Sequence, residues 1–173
     1  MKKLVAIALL LALACLLLPV QAEEGWTDFH CEEMQFTVKV PTAGLPRYEE
    51  EHGCRIYLKS EGSIPYVQVY RRPPEGKFKN PDNYLNNILR EYLEETYGDD
   101  SLGMNFASVM EIGGRELLSA RYQFKIGDTV VTQISVLDIR DGGDVEFTAK
   151  FYDGNEEITL QTLEAAVASY AED

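Results

Sequence analysis

A chain of 173 residues with 29 Asp and Glu against 16 Lys and Arg, a net charge of −13, is a poor partner for nucleic acid or an anionic membrane surface, because like charges repel. Its length is that of one domain with a sizeable core, and 45% apolar residues suffice to fill that core. Two histidines and three cysteines leave little material for metal or nucleophilic chemistry.

The first element in chain order is an export signal over residues 1–22. Lys2-Lys3 precede an apolar run from Leu4 to Leu18, and Pro19-Val20-Gln21-Ala22 ends in small residues where signal peptidase cuts. The run is short for a bilayer crossing, so cleavage after Ala22 is expected, with no transmembrane segment left afterwards. A single globular domain over 23–173 then remains, secreted or periplasmic. Taking Lys2 and Lys3 from the 16 basic residues leaves 14 against 29 acidic ones, which suits a soluble exported protein. Leu13-Ala14-Cys15 loosely resembles a lipoprotein box, but Ala12 replaces a leucine-like residue and Leu16-Leu17-Leu18 prolong the apolar run, so a lipid anchor on Cys15 is disfavoured. With Cys15 removed, Cys31 and Cys54 are the two thiols left in an oxidising compartment, and a disulfide between them is expected. Such a bridge would stabilise the fold by roughly 3 kcal/mol.

Phe36, Val38 and Val40 alternate with Thr37 and Lys39 up to Pro41, predicting a strand with one buried face. Cys54, Ile56 and Leu58 repeat the pattern against Arg55, Tyr57 and Lys59. After Pro65, Val67 and Val69 oppose Tyr66, Gln68 and Tyr70, and Pro73-Pro74 stops the strand. A helix is predicted from Pro81 to Tyr97: Asn80 is its N-cap, Pro81 its first residue and Gly98 its stop, with Tyr84, Leu85, Ile88, Leu89, Tyr92 and Leu93 along one face. Four strand-like stretches follow, 107–112, 116–126, 130–139 and 144–152, separated by Gly113-Gly114, Gly127-Asp128 and Asp141-Gly142-Gly143; this is an antiparallel meander. Leu160, Leu163, Val167 and Tyr170 recur at helical spacing and predict a closing helix. The fold class is α+β: an antiparallel sheet with a four-stranded C-terminal meander, packed by a central and a C-terminal helix.

This order resembles the PsbP-like fold. The residues that carry the resemblance are Gly114-Arg115-Glu116, Ala120-Arg121-Tyr122, Val136-Leu137-Asp138, Val145-Glu146-Phe147-Thr148-Ala149 and the stretch Thr162 to Tyr170. The resemblance implies an α/β/α sandwich and a non-enzymatic adaptor or assembly role, the role of most members of a fold that includes a Ran-binding import factor and many exported bacterial proteins of unknown function. None of these residues is a functional signature, so the resemblance transfers no site.

No catalytic constellation is legible. The serines lack a Gly-x-Ser-x-Gly context or an adjacent base. His30 and His52 lie beside Cys31 and Cys54 at a spacing foreign to short zinc frameworks, and export favours the disulfide. Asp138, Asp141 and Asp144, and the run Asp153-Gly154-Asn155-Glu156-Glu157, lack the ligand spacing of a calcium loop and read as turns. No metal and no cofactor are expected. One surface candidate stands out: Arg55, Tyr57, Tyr66, Tyr70 and Arg72 share a face of neighbouring strands, a basic, tyrosine-rich cluster in an acidic chain. It is either a recognition face for a protein partner or cell-envelope component, or a face covered by a helix with the tyrosines as amphipathic core. The leading expectation is an exported binding module; the alternative is a small secreted hydrolase whose site assembles only in three dimensions.

Overall fold

The structure, a computed structural model, describes residues 25–71, 101–140 and 143–173. The signal segment, the helix predicted over Pro81–Tyr97, and Arg72 lie outside those residues. In chain order come β1 (Trp26–Cys31), β2 (Phe36–Pro41), β3 (Leu45–Glu49), β4 (Gly53–Tyr57), β5 (Tyr66–Arg71), β6 (Ser101–Ile112), β7 (Arg115–Ile126), β8 (Thr129–Asp138), β9 (Val145–Tyr152), helix α1 (Glu156–Ser169) and the two-residue β10 (Ala171–Glu172). The protein is thus α+β, with antiparallel sheets and a C-terminal helix.

Two sheets form. The larger has the order β3-β4-β5-β9-β8-β7-β6 and is antiparallel throughout; the smaller has the order β1-β2-β10. The meander β6–β9 is set by its turns. Gly113 and Gly114 both take positive φ, +58° and +74°, the geometry of a two-residue hairpin whose twist matches the flanking strands and which residues with a Cβ resist. β6 begins six residues before its apolar alternation does, at Ser101, and its register is irregular as far as Phe106. β1, β3 and β10 have no counterpart in the apolar pattern, since each is an edge strand or very short, with mostly exposed side chains.

The core lies on one face of the larger sheet. Val145, Phe147, Ala149 and Phe151 of β9 meet Val136 of β8 and Val67 and Val69 of β5 there. Across from them stand Phe36, Val38 and Val40 of β2 and the α1 stripe Leu163, Ala166 and Val167, all with 0–1% exposure. The small sheet and the helix together form the covering layer. α1 starts a turn earlier than its apolar spacing suggests, so Glu156 and Glu157 fall in its first turn, where the helix dipole favours acids. Its buried hydroxyls are satisfied within the helix: Thr159 Oγ1 donates to Asn155 O (2.6 Å) and Thr162 Oγ1 to Ile158 O (2.8 Å).

Leu163→Ala should cost about 2–5 kcal/mol in urea unfolding, the usual loss for a buried leucine. Ile158→Ala, in the same helix but 42% exposed, should move stability by no more than about 0.5 kcal/mol. Equal losses would mean that the helix faces the core differently.

Candidate functional site

Strand alternation does bring Arg55, Tyr57, Tyr66 and Tyr70 to one face of β4 and β5, opposite the core. That face is spent internally. Tyr57 is 2% and Tyr66 6% exposed, and their rings meet edge to face at 5.8 Å. Arg55 Nη1 donates to Glu49 Oε2 (2.9 Å) and Nε to Gln68 Oε1 (3.1 Å), while its guanidinium stacks 4.7 Å from the Tyr66 ring centre. Tyr57 OH also donates to Glu49. Of the two placements that alternation leaves open, the described residues take the buried one for Tyr57 and Tyr66. Tyr70 is half-buried.

The polar layer continues across the sheet in register, through Lys150 opposite Tyr66 and Gln133 opposite Lys150. Ser135 Oγ and Thr148 Oγ1 hydrogen-bond at 3.2 Å, and Gln133 Nε2 donates to Ser135 Oγ. Burial pulls the Lys150 ammonium down to about 8, helped by the nearby Arg55 charge and opposed by Glu146. Burial also pushes Tyr122 up to about 12.

Cys31 and Cys54, both fully buried, lie within hydrogen-bonding reach of one another between the two sheets. Here the structure departs from the sequence expectation: they are two free thiols and no disulfide. Burial pushes both thiols up, Cys54 the more strongly, so neither presents the thiolate through which disulfides form.

Of the residues weighed as metal ligands, His30 and Asp138 are engaged elsewhere. His30 Nδ1 lies 3.1 Å from Asp173 Oδ2. Asp138, 7% exposed, accepts from Arg115 Nη1 (2.7 Å) and from Arg140 Nη2 (2.7 Å) and Nε (2.9 Å). Arg115 Nη2 also donates to Val167 O (2.6 Å) at the end of α1, and Arg140 stacks 4.5 Å from the Tyr170 ring centre. Among the described residues, no group of three His, Cys, Asp or Glu side chains is placed to hold a metal ion.

The open concavity lies elsewhere: a cleft of about 770 Å³ between α1, the small sheet and the β6–β7 turn. Its residues come from four places in the chain. Gln161, Glu164, Ala165 and Ala168 follow at helical spacing on the flank of α1 next to the buried stripe, and the two alanines keep that wall low. Glu111, Ile112 and Gly113 form the opposite wall, and Trp26 of β1 and Lys39 of β2 close the side. A Cβ on Gly113 would come 3.2 Å from the Ala168 Cβ, so glycine lets the turn seat against the helix. Ser169 Oγ accepts from Lys39 N–H (2.7 Å) and donates to Ala165 O (2.6 Å), pinning β2 to the helix. The apolar pattern hides this site because Trp26 and Lys39 belong to mixed or edge strands; the chain's single tryptophan was the one available signal.

No protein-family model and no curated protein matches the chain. Solved structures do. Cyanobacterial PsbP (CyanoP) from Synechocystis sp. PCC 6803 superposes with a TM-score of 0.63 at 9% identity, over 90% of this chain and 96% of that one. The Ran-binding protein Mog1p of Saccharomyces cerevisiae gives 0.60 at 8% identity, over 85% and 95%. A Bacteroides thetaiotaomicron protein gives 0.54 at 14% identity, over 86% of this chain and 49% of that one. The fold is PsbP-like.

Lys150 yields a signed pH dependence. Its folded pKa of about 8 lies below its ordinary 10.5, so between those values the unfolded chain holds the proton more tightly and this site's contribution to stability rises with pH. The raised cysteine and tyrosine values act oppositely above about pH 9. The difference between wild type and Lys150→Met isolates the lysine: the wild-type urea midpoint should gain on the variant's from pH 7.5 to 10. A constant difference would place the ammonium in water.

Proposed function

We propose that this chain is an exported, non-catalytic binding module that engages a protein partner or cell-envelope component through the cleft beside α1. The cleft carries the reading: it combines an accessible tryptophan, a low alanine wall and charged rims, the composition of a recognition surface. The titratable groups gathered by the larger sheet, Arg55, Glu49 and Tyr57, are by contrast engaged with one another. The shared fold of Mog1p, described as Ran-binding, supports a role in protein binding by analogy. Export rests on Lys2-Lys3, the apolar run and Ala22, and among the described residues no helix is long and apolar enough to cross a membrane.

Intact mass of the protein recovered from its native cells tests export. The expected species begins at Glu23. Retention of residues 1–22 would overturn export. For the binding role, a benzophenone side chain at Gln161 should crosslink one envelope or secreted protein, and the adduct should vanish in Trp26→Ser. The same group at Val109, 59% exposed on β6, should give none. An identical adduct from both positions would remove the cleft, and ester hydrolysis abolished by a single serine substitution would make the chain a hydrolase.

A further inference from the structure

We infer that the cleft takes a cationic side chain, a lysine or arginine carried on a partner protein's segment; this rests on the binding-module reading and names its chemistry. Three observations converge. First, Glu111 and Glu164 stand on opposite walls, and neither carboxylate is claimed by an ion pair or hydrogen bond among the described residues. Against these two negative charges the cleft sets one ammonium, Lys39, so its rim keeps an excess of negative charge within a chain of net charge −13. An arriving cation is drawn in, and an anion is repelled. Second, the half-buried indole of Trp26 lines the same space, and tryptophan presents the aromatic face to which a guanidinium or ammonium binds best. Third, the wall is low where a long side chain has to lie. Ala165, small and only half-buried, leaves room on that flank of the helix for an alkyl stem, while the charged head reaches a carboxylate.

The geometry also selects against another mode of binding. β10 pairs with β2 only at Phe36 and Thr37, which leaves the rest of that edge beside the cleft. An extended peptide adding a strand there would need the Lys39 N–H, and Ser169 Oγ already holds it at 2.7 Å. Recognition therefore falls to side chains.

Trp26 is the only tryptophan, so its emission reports on the cleft in the intact protein without a label. The probe is a capped tetra-arginine peptide, with capped tetra-citrulline as its uncharged isostere. Tetra-arginine should change the Trp26 emission saturably and tetra-citrulline should not. Glu111→Gln with Glu164→Gln should weaken binding at least tenfold at fixed ionic strength, with circular dichroism unchanged because both side chains are exposed. Glu50→Gln with Glu51→Gln, which removes two exposed charges elsewhere, should leave the affinity within twofold. Absence of an emission change, equal response to citrulline, or equal weakening by the two double variants would each overturn the inference. If tetra-arginine fails while Gln161 still crosslinks a partner, the binding role stands and only the cationic chemistry falls; failure of both removes the cleft.

Discussion

The carboxylate of Asp138 is the point at which the start of β7, the end of β8 and the chain beyond it are tied together. It sits at the end of β8, nearly excluded from solvent, and two arginines converge on it, one from the start of β7 and one just beyond β8. Arg115, the first residue of β7, uses its second nitrogen on Val167 O, one of the last carbonyls of α1 that would otherwise lack a partner. One guanidinium thus fixes the end of the helix to the start of the strand that follows the Gly113-Gly114 turn. Arg140 lies against Tyr170 and within 3.8 Å of Glu172, which Arg71 approaches from β5. A buried charge is costly unless its lone pairs are filled, and Asp138 is filled from two sides.

The larger sheet separates two kinds of interior. Its core face is aliphatic and aromatic, with Phe147 and Phe151 at its centre. The opposite face holds buried polar groups in register across four strands, from Tyr66 through Lys150 and Gln133 to Tyr122. A polar interior is stable only when its members find partners, and the Arg55–Glu49–Tyr57 group and the Ser135–Thr148 pair do. Among the described residues, Gln133 Oε1 and Tyr170 Oη are buried without one.

Local periodicity made legible what is periodic. The meander could be read because Leu118, Ala120, Tyr122 and Phe124 alternate with polar residues and glycines punctuate the turns; the closing helix could be read from Leu160, Leu163 and Val167. β1 could not, since Trp-Thr-Asp-Phe-His-Cys alternates in neither pattern, and β3 could not, since Pro46 and Arg47 suit an exposed edge. Alternation placed Arg55, Tyr57, Tyr66 and Tyr70 on one face correctly, yet periodicity says which side a residue faces and nothing of what lies above it. The two cysteines illustrate the same limit: their nearness could be inferred from composition and compartment, but their redox state depends on burial. The cleft was hidden for a plainer reason. Its walls combine residues near positions 26, 39, 112 and 165, and only the folded chain brings them together.

The small sheet is completed by the last residues of the chain. β2 receives β10 on its free edge, Asp173 N–H donates to Gln35 O, and Ser169 holds Lys39 across 130 residues of sequence. These are contacts of very high order, and contacts of high order form late because the intervening chain must first be gathered in. The N-terminal hairpin therefore has no complete sheet to join until β10 is in place. Formation of the small sheet is thereby tied to the arrival of β10, its closing strand.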